Sequence, residues 1–135
     1  MNKECINPSG LYNSTQFGYS QAVACKPGKL VFISGQFPCD REQHLVGGAD
    51  IISQAKQAFE NLKTAIQKAG GSLDDIVILK LYMVDYREED ADAVGNVMKE
   101  YFGTNHPPAS TWIGVKSLVN NKFLIGIEAQ AVIGD

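Results

Sequence analysis

The chain has 135 residues, 44% of them apolar, and a formal net charge of −3. That is the size of one domain with enough apolar content for a core. The charge is too small and too evenly spread to grip nucleic acid, which needs clustered lysines and arginines. No run of about 18 apolar residues offers a membrane span, and the opening MNKECINPSG lacks the apolar stretch of a secretory signal. The expected setting is the cytoplasm, with no membrane and no nucleic acid as partner.

Residues 1–16 are polar and rich in turn formers (Asn7, Pro8, Ser9, Gly10), and read as a loosely held arm. Tyr19 to Cys25 is a strand candidate. Lys26-Pro27-Gly28-Lys29 is a turn that should fold it back onto Leu30-Val31-Phe32-Ile33-Ser34, a run suited to a strand covered on both faces. Gly35 is expected to end that strand, and Phe37 to Gly48 is a loop. Asp50 then stands at a helix N-cap position. Ile51, Ala55, Ala58, Phe59, Leu62, Ala65, Ile66 and Ala69 recur at three- and four-residue steps, up to a stop at Gly70-Gly71. The resulting helix is about 28 Å long.

Ile76 to Val84 (IVILKLYMV) reads as a central strand. Asp90 is placed to cap a second helix carrying Ala91, Val94, Val97, Met98, Tyr101 and Phe102, with Gly103 at its end. Ala109 to Val115 and Lys122 to Ile133 complete the chain as strands. In the last, Phe123, Ile125, Ile127, Ala129, Ala131 and Ile133 share one face, and Leu124, Gly126, Glu128, Gln130 and Val132 the other. The order is ββαβαββ, an α+β fold in one domain spanning 1–135. Two helices can cover only one face of such a sheet, so the other must be buried against something else, most economically another copy of the chain.

Few residues stand out as chemistry. Glu128 lies among apolar neighbours on its strand, and is either a partnered or solvent-facing carboxylate or one held in a pocket, where desolvation favours proton transfer. Gly126, two residues earlier on the same face, leaves room above the sheet. Ser34-Gly35-Gln36 could offer amides and a hydroxyl to an oxyanion, or be a simple turn. Tyr19 reads as packing, and Asp74-Asp75 as a solvated or capping pair. Cys5, Cys25 and Cys39 are odd in number and irregularly spaced, and His44 and His106 lie far from them. Reduced thiols are expected, with no metal site, no disulfide framework and no cofactor.

Together these segments resemble the Rid (YjgF) family. Gly18-Tyr19-Ser20-Gln21-Ala22-Val23 is similar to its GPYSQAV opening without the proline. Phe32-Ile33-Ser34-Gly35-Gln36-Phe37-Pro38 resembles its SGQ-x-P motif. QAFENLKTAIQKAGGSLDD, Glu100-Tyr101-Phe102 and Ile127-Glu128-Ala129 extend the likeness. The resemblance implies a chorismate-mutase-like fold, a mixed sheet with two helices on one face, and a homotrimer with small-molecule clefts between subunits. For the best-known branch it implies hydrolysis of reactive enamines and imines to a keto acid and ammonia. In that branch the glutamate matching Glu128 places water or moves a proton, and residues matching Tyr19, Ser34 and Gly35 line the cleft.

Three departures follow from the same comparison. The family's Pro-Ala-Arg-Ser is here Pro108-Ala109-Ser110-Thr111, so Ser110 stands where an arginine pairs with the substrate carboxylate. A hydroxyl reproduces neither the charge nor the fork of a guanidinium. The branch's helix asparagine aligns with Gly95, and Trp112 fills a position usually held by a smaller residue. The implied cleft, with Ser110, Thr111 and Trp112 as ligand-facing residues, is less cationic and more aromatic, as in an arginine-lacking subgroup. Its implied roles are deamination of 2-iminoacids, action of Glu128 on an uncharged or differently charged small molecule, or ligand binding in a regulatory trimer without turnover. The family's older ribonuclease and translation-inhibitor names find no basic patch here.

Overall fold

A computed structural model describes residues 3–134. Six strands and two helices follow one another as β1 (Lys3–Ile6), β2 (Ala22–Cys25), β3 (Lys29–Gln36), α1 (Ile51–Lys68), β4 (Ile76–Val84), α2 (Ala91–Phe102), β5 (Ala109–Val115) and β6 (Ile125–Ile133). The main sheet is mixed, in the order β3-β6-β4-β5. β6 runs antiparallel to both β3 and β4, and β4 runs parallel to β5 through the α2 crossover.

α1 begins where Asp50 accepts hydrogen bonds from the Ser53 amide and hydroxyl, at 3.0 and 2.7 Å. It buries Ala55, Ala58, Phe59, Leu62 and Ile66, the face its periodicity predicts. α2 adds Val94, Val97, Met98 and Phe102. Both helices enter one core with Leu79, Leu81 and Met83 of β4 and with Ile125, Ile127, Ala129 and Ala131 of β6. Gln54, fully buried, ties the start of α1 to the approach of β6. Its amide nitrogen donates to Gly48 O and Lys122 O, and its oxygen accepts from Leu124 N. β6 starts at Ile125, not at Lys122: Lys122 O and Leu124 N are taken by the Gln54 side chain, and Leu124 O accepts from Val84 N at 2.9 Å. Asp90 does not cap α2 with its side chain; its carboxylate accepts from Arg87 N at 3.0 Å. Asp75 does cap, accepting from Ser72 N at 2.8 Å.

The N-terminal segment departs most from expectation. Lys3–Ile6 is a strand paired with Ala22–Cys25, so β2 partners β1 and not β3, and the two form a separate ribbon. Lys3 is buried, with its ammonium donating to Ile76 O at 3.0 Å. Ser20 bridges to Ala109 and donates to Pro107 O. Described residues of the expected loose arm are therefore stitched to the start of β4 and the approach to β5. β3, expected to be covered on both faces, lies at the sheet edge and within this chain is covered on one face only, with Ile33 buried and Leu30 and Phe32 exposed. It runs past Gly35 to Gln36, with a bulge between Ile33 and Gln36.

One face of the main sheet carries the core and the other is open. On the open face Leu30 and Phe32 are 65% and 70% exposed. The register sets Phe32 beside Gln130, which faces Ile78 across β4.

Candidate functional site

Strand alternation places the residues that the sequence singles out on opposite sides of this sheet. Lys80 lies directly between Thr111 on β5 and Glu128 on β6, so these three form a row on the open face. Ser110 and Trp112 lie opposite Leu79 and Leu81, whose side chains are fully buried, and so belong to the helix-covered face. Successive residues of one strand cannot share a face. Within a single chain, Glu128 and Thr111 are thus separated from Ser110 and Trp112 by the thickness of the sheet.

On the open face Glu128 is half-buried and accepts a hydrogen bond from the Tyr82 hydroxyl. That bond, with some burial and the nearby carboxylate charge, pushes the Tyr82 hydroxyl above its usual pKa. A shallow depression of about 220 Å³, lined by Ile78, Lys80, Glu128, Ala129 and Gln130, adjoins the pair. The space above Gly126 is occupied. A Cβ there would stand 2.6 Å from the Phe37 ring, which stacks on Phe123 with centroids 5.3 Å apart. Glycine at this position admits an aromatic ring, where the sequence suggested room for a ligand.

On the other side, Tyr12, Phe17, Tyr19, Tyr86, Ala91 and Trp112 line an open cup of about 470 Å³. The indole of Trp112 lies 5.7 Å from Tyr19 and 6.3 Å from both Phe17 and Tyr86, at interplanar angles of 56°, 77° and 80°. Its Nε1 donates to Ser110 Oγ at 3.0 Å. Tyr19 shares a hydrogen bond with the Tyr12 hydroxyl, and burial together with that contact raises its pKa. Two glycines bring the short 3-10 turn Ser14–Phe17 against α2. Gly18 has φ +84°, and a Cβ there would stand 2.6 Å from Met98 Cβ; a Cβ on Gly95 would stand 3.0 Å from Phe17 Cα. Gly95, where the resemblance places an asparagine, is a packing contact, and Asn96 is exposed on α2.

Ser34 and Gly35 lie at the β3 bulge, exposed, with Ser34 O accepting from the Gln36 side chain at 3.0 Å. Cys5, Cys25 and Cys39 are free, and among the described residues no group of histidine, cysteine and carboxylate side chains is arranged to hold a metal ion. No helix is long and apolar enough to cross a membrane, again among the described residues. Sequence reasoning missed Tyr82 and Lys80. Their two-residue spacing in Ile76–Val84, with polar atoms on one side only, was the available signal.

A carboxylate on the interior strand β6 bonded to a tyrosine of β4, a helix-backed mixed sheet and an aromatic cup beside β5 describe a small α+β protein. The model of the family described as Endoribonuclease L-PSP matches residues 13–133, and the chain belongs to this family, known also as Rid or YjgF. Among its relatives, a RutC family protein of Pyrococcus abyssi is 38% identical over 113 residues, 84% of each chain. The 2-iminobutanoate/2-iminopropanoate deaminase of Dermatophagoides farinae is 35% identical over 116 residues, 85% of each. The solved structure of a conserved Rid family protein of unknown function from Yersinia pestis matches with a TM-score of 0.94 at 34% identity, covering 98% of this chain and 100% of that one.

Proposed function

We propose that the protein works as a homotrimer whose small-molecule cleft is shared between copies, and that it hydrolyses small imines or enamines that carry no carboxylate. The observation that carries this reading is the division of the site: Glu128 with Tyr82 lies on one face of the sheet, Tyr19 and Trp112 on the other. A neighbouring copy laid over the open face brings the two halves of the site together, and it also covers Leu30 and Phe32. The kinship with a relative named an imine deaminase supplies the reaction class.

In the proposed reaction Glu128 takes a proton from water as the oxygen attacks the C=N carbon. That proton passes to nitrogen to give the carbinolamine; Glu128 then takes the carbinolamine hydroxyl proton and delivers it to the same nitrogen as the C–N bond breaks, and a carbonyl compound and ammonia leave. Tyr82 orients the Glu128 carboxylate through its hydroxyl. Among the described residues no cationic side chain lines the cup beside Ser110, so the cup by itself offers a carboxylate no charged anchor. The engagement of the Ser110 hydroxyl by the Trp112 indole favours one second reading, a trimer that binds a ligand without turnover.

The test follows the decay of an imine made in situ by an amine oxidase from a simple alkylamine. Decay should accelerate with the protein and return to the background rate with Glu128→Gln. Unchanged decay alongside saturable ligand binding would establish the second reading. Light scattering should give three times 14.7 kDa; a stable monomer at micromolar concentration would remove the shared cleft.

A further inference from the structure

The aromatic cup has a composition that the hydrolytic chemistry does not require. Five of its six lining residues are aromatic, and among the described residues no cationic side chain lines it. The rings of Phe17, Tyr19 and Tyr86 meet the Trp112 indole at 56° to 80°, tilted or edge-on, so none of these pairs stacks face to face. Ring faces carry the negative lobe of the aromatic quadrupole, so a box of several such walls attracts positive charge.

The charge at the rim has the same sign. The segment from Asp85 to Asp92 holds five carboxylates (Asp85, Glu88, Glu89, Asp90, Asp92) against Arg87 alone. Asp90 and Glu88 lie close enough to Tyr86 to raise its pKa, after burial as the larger cause. The first turn of α2, which starts at Ala91 in the cup wall, would by itself favour an anion. Its positive end is answered by the acidic residues that precede and enter it. The tyrosine hydroxyls of residues 12 and 19 bond to each other at one side of the cup.

We propose that this cup is a binding site for a small organic cation, of the alkylammonium or quaternary ammonium class. The proposal deepens the reading above, because the iminium form of an alkyl imine belongs to that class, and it rests on that reading only for what the bound cation becomes. Binding itself requires the rings of one chain and not Glu128.

Trp112 is the only tryptophan, so its fluorescence reports on this cup alone. The experiment titrates the full chain with choline, and in parallel with 3,3-dimethylbutan-1-ol, which has the same shape with carbon in place of the charged nitrogen, and with betaine, which adds a carboxylate. Ionic strength is matched with sodium chloride, and calorimetry accompanies the fluorescence. Choline should bind about ten-fold more tightly than the neutral alcohol, the ratio expected of one or two cation–π contacts. Betaine should bind more weakly than choline. Tyr86→Phe should keep the affinity, and Tyr86→Leu, checked for folding by circular dichroism, should lose most of it.

Equal affinity for choline and the alcohol would overturn the proposal, since the cup would then be merely apolar. So would tighter binding of betaine, or no saturable response to choline by about 100 mM, a concentration that fills even a weak site. Glu128→Gln should abolish imine turnover while saturable binding that prefers choline to the neutral alcohol remains, because the rings supply that preference. Choline binding without turnover therefore retires the hydrolytic reading alone, and turnover without choline binding retires the cation site alone.

Discussion

The exchange Ser110→Arg introduces a cation at position 110 of β5, and its effect can be worked from the contacts around it. Ser110 Oγ accepts from Trp112 Nε1 at 3.0 Å, and losing that bond costs about 1 kcal/mol of stability. The introduced side chain cannot stay beneath the sheet against the fully buried Leu79, so it extends into the cup beside Tyr86 and Trp112. There it stacks on the rings that we assign to a ligand cation. Coulomb's law gives an upper bound of about 4 kcal/mol for a guanidinium and a carboxylate 4 Å apart at an effective dielectric of 20. Net charge-assisted hydrogen bonds are worth about 1.5–3 kcal/mol, or roughly 10- to 150-fold in affinity, and this smaller range decides the expectation. Calorimetric titration with 2-oxobutyrate should show weak binding by the unaltered protein and tighter binding by the variant, with the gain shrinking at higher salt. Choline affinity should fall in the same variant. Tight, salt-sensitive binding of 2-oxobutyrate by the unaltered protein would refute the reasoning, because another cation, with Lys80 the first to test, would then hold the carboxylate.

Three further outcomes are expected. Gly126→Ala drives a methyl group into the Phe37 ring and should destabilise the fold by about 1–3 kcal/mol, several degrees of Tm, with recovery when Phe37→Leu is added; an unchanged Tm would contradict the contact. Phe32→Glu places a charge on a side chain 70% exposed on the open sheet face, and light scattering should find the mass reduced to 14.7 kDa if that face is the contact between copies. Burial lowers the Lys3 pKa below its ordinary 10.5, so the unfolded chain binds the more protons in the window just below that value. Urea midpoints should therefore rise in the unaltered protein relative to Lys3→Met as pH approaches 10.5 from below; a relative fall would reverse the sign and the burial argument with it.

The elements that the sequence made legible are those whose apolar spacing and end signals agree. α1 announces itself through its three- and four-residue steps and the Asp50 cap, and β6 through strict alternation from Ile125 to Ile133. β1 was hidden because four residues, KECI, carry a lysine and a glutamate, and nothing local reveals that the Lys3 ammonium finds a carbonyl at Ile76. The hairpin expected between β2 and β3 fails for the same reason, since a turn at residues 26–29 looks like a hairpin when no earlier strand is known to take β2 as its partner. The site was legible as a set of residues and not as an arrangement. Ser110, Thr111 and Trp112 are consecutive in a strand, and their two-residue periodicity already implied that Thr111 points away from the other two. The cup could not be read at all, because its rings come from positions 12 to 19, 86 and 112 with no shared period.

The stitching of the N-terminal segment to the approach of β5 has a consequence for when the cup exists. Cys5 donates to Pro107 O across 102 positions of chain, and Ser20 to the same carbonyl across 87. Contacts of such sequence separation form late, after the loop-closure entropy of nearly the whole polypeptide has been overcome. The wall bearing Tyr19 and the wall bearing Trp112 are brought together by these ties. A nascent chain still short of β5 has the long helix but no cup, and a partly unfolded chain loses the cup as soon as its first twenty residues detach. Any molecule held there recognises the closed chain alone, and should raise the free energy of opening that closure by RT ln(1 + [L]/Kd). Amide exchange along residues 3–25 would then slow on ligand addition, even at backbone positions remote from the cup.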